Sequence, residues 1–397
     1  MEIKIEVIER LYNNLEGKVK ERLEEAIEKI VATKKKGGKL IVVTGSGPNI
    51  HEGITTLIAE LINKGVVDGV STSSAVIGHE MAGSLEKVKR FDGVRFGFKK
   101  EKLPLDGIFE VALMDEEYLS QIKKEITIDE ELLKRMLAAD GKIIIKVAGN
   151  MAYPTGLRTE KLASEVGLLA KENNLPLEEV VGSGADIQTM IGAGFKKKIP
   201  VLVSVPQLIG GGAVGLVIGD SISISERTRR MAKMLSSADI IIESALALSQ
   251  EIHDGPFERT TGHGIWADWQ GKKTYSLKEK TIVRIDLDPN LEKAWQMERQ
   301  TRIVTESIDK GLPKTIATKV PFRMEMSGFS RLPHSIPIIG DIGEIWPIIA
   351  FSVAKELNIN LDFISYKQTL PEGKEMREWI VKNVKATNRE KIYQQFK

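Results

Sequence analysis

Leu11, Leu15, Val19, Leu23, Ile27 and Val31 recur every four residues between charged neighbours. That spacing puts one apolar stripe on one face of a helix, and the pattern predicts a single amphipathic helix over 1–37, closed by Lys34, Gly37 and Gly38. Its apolar face needs cover, from a sheet or from another subunit. From residue 38 the rhythm changes. Short apolar runs, 40–43, 68–70, 107–113, 142–147, 199–203, 240–243, 281–285 and 335–339, alternate with helical patterns. Such alternation predicts an α/β domain over 38–365, a doubly wound and mostly parallel sheet with helices on both faces. Residues 287–333 lack the rhythm and read as an insertion, while 366–397 read as a charged helical tail.

In sheets of this kind, ligands gather where the carboxyl ends of the strands open into loops. Here those ends carry TGSG, STSS, AGN, PQLIGGG and IGD. After the first strand, the small residues Gly45, Ser46 and Gly47 let backbone N–H groups approach a pyrophosphate, which the start of the next helix also favours. The motif is not GxGxxG, so a tight strand-to-helix turn with no ligand explains it as well. Five strand ends rich in glycine or hydroxyls suit a dinucleotide better, with Gly211 and Gly212 among the contacts.

One segment imitates a membrane anchor: 199–219 is 21 residues without a charge, following three lysines. It holds Pro200, Pro206 and five glycines, and its β-branched residues fit a buried strand leading into a glycine-rich loop. The first residues do not have the basic-then-apolar layout of a secretion signal, so the expected compartment is the cytoplasm, with no membrane partner.

Charge and composition narrow the chemistry. With 57 Lys and Arg against 55 Asp and Glu, the surface has no strong field for nucleic acid, and a small-molecule substrate is expected. There is no cysteine, which excludes disulfides, thiol nucleophiles and Cys-ligated metals. Abundant Lys, Glu and Ile without cysteine also resemble the composition of thermophilic proteins. His51, His79 and His253 each precede an acid, yet none forms HExxH, and no metal site is expected. Ser46 and Ser183 lie in GSG turns without the GxSxG spacing of a nucleophile elbow. Asp286 and Asp288 end a strand, where turn acids are commoner than ribose or metal ligands.

The segment 250–273, QEIHDGPFERTTGHGIWADWQGKK, has no periodicity and carries two tryptophans among acids. Long loops of this kind inside an α/β domain are usually functional. Trp266 and Trp269 suit an aromatic wall for a cationic amine, with Asp254, Glu258 and Asp268 balancing its charge. A lysine beside such a wall would be partly desolvated and available as a neutral amine for a Schiff base, although a solvated lysine pair on a hairpin fits the same text.

Four segments in order along the chain resemble deoxyhypusine synthase and the group sharing its NAD-binding domain. They are SGPNIHEGITTLIAELINKGVVDGVSTSSA at 46–75, QLIGGG with SADIIIESA at 207–245, SQEIHDG at 249–255, and GDIGEIWPIIAFSVAKEL at 340–357. The resemblance implies a Rossmann-like fold binding NAD through Ser46, Asn49, Thr72, Ser73, Ser74 and Asp341. It also implies Lys272 as the residue that takes an aminoalkyl group as an imine, with Lys273 in reserve, and a homotetramer. The paired histidines that the family places after the glycine triplet are absent, since Ala213, Val214 and Gly215 follow Gly212. The expectation is therefore an NAD-dependent enzyme that oxidises an amine or amino acid to an imine, with Lys272, Lys273, Trp269 and Asp268 at the reacting centre. Two alternatives remain: an NAD-dependent dehydrogenase or ornithine cyclodeaminase-like enzyme without a covalent lysine, and a non-catalytic dinucleotide-binding protein.

Overall fold

The structure is a computed structural model and describes residues 1–244, 277, 279–321 and 329–396. Strands β1 (Leu40–Thr44), β2 (Gly69–Thr72), β6 (Val201–Val203), β7 (Ile240–Ser244), β8 (Thr281–Asp286) and β9 (Ser335–Ile339) form one sheet in the order β6-β2-β1-β7-β8-β9. Every neighbouring pair in it is parallel. The chain winds outward from β1 through β2 to β6, then returns to the other side of β1 with β7. That reversal puts the topological switch point between the carboxyl ends of β1 and β7.

Both faces are covered. Leu40 and Val42 of β1 belong to the larger core, with the helices Gly17–Lys35, Ile54–Asn63 and Ile342–Glu356. Ile41 and Val43 point the other way, into a smaller core with Met231 and Leu235 of the helix Ile224–Ser236 and Leu291 and Ala294 of the helix Pro289–Thr301. The alternation of sides along β1 follows from the two-residue period of a strand, and apolar residues at every position mark a strand buried on both faces.

Two expectations need correction, and a third gains detail. The single helix over 1–37 is two helices, Ile5–Asn14 and Gly17–Lys35, with Leu15 and Glu16 both in extended backbone between them. The apolar stripe continues across the break, so spacing alone hides it; the local cause is Asn13, Asn14 and Gly17, all poor helix formers. The runs at 107–113 and 142–147 do not join the parallel sheet. They become β4 (Ile108–Leu113) and β5 (Lys142–Val147) and flank β3 (Leu85–Asp92) in a separate antiparallel sheet of order β4-β3-β5. The AGN turn after β5 thus ends a strand of this second sheet and not one of the main sheet. Finally, 287–333 is the crossover between the neighbouring strands β8 and β9, beginning with the helices Pro289–Thr301, Ile303–Asp309 and Lys314–Thr318.

The uncharged stretch 199–219 holds β6 and then, after short turns, the helix Gly212–Ser221. No helix among the described residues is long and apolar enough to cross a membrane. As the outermost strand, β6 has one row of backbone groups facing away from β2. Val203 N–H donates to Glu178 Oε1 at 2.8 Å and its carbonyl accepts from Arg227 Nη1 at 3.2 Å, while the two side chains pair with each other. Glu178 and Arg227 are 1% and 0% exposed. A buried ion pair therefore finishes the edge where another strand would otherwise add.

A second buried acid closes a helix. Glu80, fully buried, accepts from the N–H groups of Met190 at 2.9 Å and Ile191 at 3.1 Å, which open the helix Met190–Lys197. Burial pushes its carboxyl up to about 8, although both backbone bonds oppose the shift. A carboxyl raised on folding contributes stability that is complete below its unfolded value and is lost as pH rises through the folded one. Glu80 is thus expected to make the unfolding free energy fall between pH about 5 and about 8, and Glu80→Gln to flatten that fall, read from urea midpoints across the range. Equal slopes in parent and variant would refute this.

Candidate active site at the carboxyl edge of the sheet

Pairing register builds the floor of the site. Thr44 lies opposite Ser244 on β7, and because Val43 lies opposite Ser71, Thr44 also stands beside Thr72 on β2. Neighbouring parallel strands run about 4.8 Å apart, so Thr72, Thr44 and Ser244 form a row of hydroxyls on the last rung. All three are fully buried, on the side of the larger core. Their environments differ. Ser244 Oγ donates to Asn49 Oδ1 at 2.9 Å and accepts from Trp346 Nε1 at 2.8 Å. The hydroxyls of Thr44 and Thr72 have no hydrogen-bond partner among the described residues. Buried hydroxyls without partners call for an explanation such as a ligand or ordered water; Thr55, Thr56 and Ser71 carry others, and Thr44 and Thr72 differ from them in standing at the carboxyl ends of strands.

Asn49 spans the switch point. Its amide nitrogen donates to the carbonyls of Gly45 and, at 3.2 Å, Ser244, which ties the turn after β1 to the end of β7. Asn49 is fully buried and its described bonds are internal, so it shapes the turn and presents the backbone of Gly45, Ser46 and Gly47. Gly45 is extended, with φ −169° and ψ −177°, and precedes the short helix Ser46–His51.

Beyond β2, Ser73 caps the helix Ser74–Met81 by accepting from Val76 N–H at 3.3 Å. Ser74 Oγ donates to the carbonyl of Gln207 and accepts from Gly211 N–H, at 2.8 and 2.9 Å. The glycine triplet is therefore stapled to the start of that helix. A Cβ on Gly211 would fall 2.7 Å from the Ser74 backbone, whereas one on Gly210 or Gly212 would meet nothing within 4 Å. Close packing explains Gly211. Gly212 has φ +59°, in the left-handed region where glycine is favoured. After β9, Asp341 caps the helix Ile342–Glu356 through Gly343 N–H at 2.9 Å and pairs with Lys367 at 3.2 Å.

On the opposite side of the sheet, Arg284 of β8 pairs with Glu243 of β7 at 3.2 Å and with Asp286 at 3.0 Å. Asp286 also accepts from Asp288 N–H, and Asp288 caps the helix Pro289–Thr301. Both acids thus act in a strand-end turn. Ser183 Oγ donates to the Val180 carbonyl at 2.8 Å. Among the described residues, no group of three or more His, Asp or Glu is arranged to hold a metal ion.

The structure brings Gly45, Gly47, Asn49, Thr72, Ser73, Ser74, Gly211, Gly212 and Asp341 to the carboxyl side of one sheet. Asp254, Glu258, Trp266, Asp268, Trp269, Lys272 and Lys273 lie outside the described residues. Thr44 and Ser244, which complete the hydroxyl row, escaped the sequence reading. The signal was present as a hydroxyl residue closing an apolar run, IVVT and IIIES.

No family model matches the sequence, and no curated protein matches it. Among solved structures the chain is similar to a mutant of AgrE in its binary complex with L-arginine, at 13% identity and a TM-score of 0.41 over 87% of this chain. The ternary complex of AgrE with ornithine and NAD+ gives 14% and 0.39, and a putative LOR/SDH protein from Methanococcus maripaludis S2 gives 13% and 0.36. The chain spans about a third of the AgrE chains, 34% in both complexes, and 70% of the Methanococcus maripaludis protein. With TM-scores below 0.5 these likenesses are loose, and the Rossmann-like architecture of this chain rests on its own strand order.

Proposed function

We propose that the chain is an NAD-dependent enzyme that oxidises an amine or amino acid to an imine. The observation that carries this reading is the pair of buried hydroxyls without partners among the described residues, Thr44 and Thr72, side by side at the carboxyl ends of β1 and β2, next to the switch point of a wholly parallel sheet. They fit a bound dinucleotide, as does the turn of small residues at 45–47 directly above β1. In this reading the backbone of Gly45–Gly47 and the start of the helix Ser74–Met81 hold the diphosphate, and Asp341, after β9 at the edge of the sheet, is the proposed contact for a ribose. Bound there, NAD supplies a hydride acceptor.

The work of this chain is positional. Asn49 fixes the turn after β1, Ser244 and Trp346 fix Asn49, and Ser74 holds the glycine triplet against the helix. Oxidation removes a hydride from the carbon bearing the amine and a proton from its nitrogen, leaving an imine. Lys272 is the proposed amine that captures this imine by transimination, releasing the substrate's own nitrogen, with Lys273 as the reserve.

A thermal-shift titration of the whole chain with NAD+, NADP+ and ADP-ribose tests the cofactor. Saturation to about a hundred times Kd is expected to stabilise the fold by about 2.7 kcal/mol, and no shift with any of the three would refute the reading. Borohydride reduction during turnover tests the lysine. Substrate-dependent mass on a peptide containing Lys272 and Lys273 is expected, and its absence under active conditions leaves a dehydrogenase without a covalent intermediate.

A further inference from the structure

A cavity of about 440 Å3 lies where the antiparallel sheet meets the main one. One wall is the helix Ser74–Met81 at Ala75, Gly78 and His79, and another is the glycine triplet 210–212. The turn 149–153 after β5 and the first turns of the helix Thr155–Asn173 complete it. Its volume falls in the range of small-molecule sites, about 300–1,000 Å3.

Two features give the cavity a chemistry. First, His79 is held in one tautomer. Its Nδ1 lies 2.7 Å from the Ala148 carbonyl, and a carbonyl can only accept, so Nδ1 carries the hydrogen. Nε2 is then a free acceptor on a ring that lines the cavity. Burial holds the imidazole below its usual value despite that bond, and the nearby Lys146 and His51 push the same way. Second, the charge of the lining has one sign. Among the described lining residues Glu160 is the only charged one, and no Lys or Arg is present. Lys146, which reaches the turn, is committed to Glu110 at 2.6 Å and to the Asn150 carbonyl at 3.3 Å. Phe109, Met151 and Leu157 supply apolar surface.

A diphosphate would meet a carboxylate and no cation here, so the cavity does not suit the dinucleotide. We propose that it receives the amino end of the substrate, with His79 Nε2 accepting a hydrogen bond from the substrate N–H and the Glu160 carboxylate balancing the ammonium charge. This names where the amine of the proposed reaction binds, and to that extent it rests on that reading. The site lies beside β2 and β6 and adjoins the dinucleotide edge, so an amine seated in it stays next to the hydride acceptor. The staple from Ser74 to Gly211 fixes the glycine triplet that both share.

The test uses the full chain, with L-ornithine and 1,4-diaminobutane as probes, pentanoate as a control without an amine, and NAD+ titrated separately. His79→Asn keeps an amide that can donate to the Ala148 carbonyl but removes Nε2; Glu160→Gln removes only charge, at an exposed position. His79→Asn is expected to weaken amine binding about tenfold, the loss of roughly one hydrogen bond, and Glu160→Gln about two- to fivefold, the loss of an exposed ion contact, while the NAD+ titration stays as in the parent. The gap between Glu160→Gln and the parent should narrow in high salt. The proposal is overturned if both variants keep the amine Kd within about twofold of the parent, if neither amine binds the parent, or if pentanoate binds as tightly as the amines. Should amines bind through His79 while NAD+ leaves the parent unaffected, this site stands and the dinucleotide reading falls.

Discussion

Arg227→Ala is expected to cost about 3–5 kcal/mol in urea unfolding, the usual penalty for stripping one partner from a buried ion pair. Its guanidinium pairs with Glu178 and also donates to the carbonyl of Ile218 at 2.9 Å and to Ser221 Oγ at 3.3 Å. Alanine would leave the Glu178 carboxylate buried beside the edge of β6 with only the Val203 N–H to bind it. Glu178→Ala should cost a similar amount, stranding the guanidinium instead. The pair replaced together by Leu and Met should recover only part of the loss: the two ions no longer have to be taken out of water, but the Val203 N–H and the carbonyls of Val203 and Ile218 lose their partners. The same double variant exposes the outer backbone of β6 at Val203, so greater self-association is expected of it on sizing chromatography. Single variants losing less than about 1 kcal/mol would show that the pair contributes no more than a surface one.

Asn49→Ala carries the second large effect. The change would strand the carbonyls of Gly45 and Ser244 and the Ser244 hydroxyl, all near the switch point. With buried groups costing about 1–3 kcal/mol when left unpaired, a total near 3 kcal/mol is expected. Trp346→Phe removes only the indole donor to Ser244 and should cost about 1 kcal/mol. Because Ser244 is common to both, the two losses should not add, and the double variant measures their coupling. Asn49→Ala should also weaken NAD+ binding, since the turn 45–47 would lose its tether to β7. Losses that add within about 0.5 kcal/mol would mean that Asn49 and Trp346 act independently.

Residues invisible to the sequence reading share one trait: they are charged or polar side chains standing in an apolar stripe. Along the helix Ile224–Ser236, the buried stripe of Met231, Met234 and Leu235 extends back one turn onto Arg227. Glu80 stands between Ile77 and Met81 on the buried face of its own helix. Periodicity marks such positions as interior, yet charge normally argues for the surface. Only the partner settles the conflict, and here the partners are 49 residues away for Arg227 and 110 for Glu80. His79 follows the same rule: its acid neighbour in sequence, Glu80, faces the helix Met190–Lys197, while the ring answers to Ala148.

The chain alone determined that there would be a parallel sheet, because strands such as 40–43 and 240–242 read as unbroken apolar runs buried on both faces. It also placed the glycine and hydroxyl turns at the ends of those strands, since small residues after an apolar run mark where backbone must turn sharply. Tertiary structure alone decided which strands share a sheet. The runs at 107–113 and 142–147 look like the others but pair with β3, because strand pairing is a choice among backbones of equal hydrogen-bonding power. It decided, too, that Thr44, Thr72 and Ser244 stand on one rung, which depends on register across a long chain separation. Register and long-range pairing are properties of contact, and no local spacing of residues encodes them.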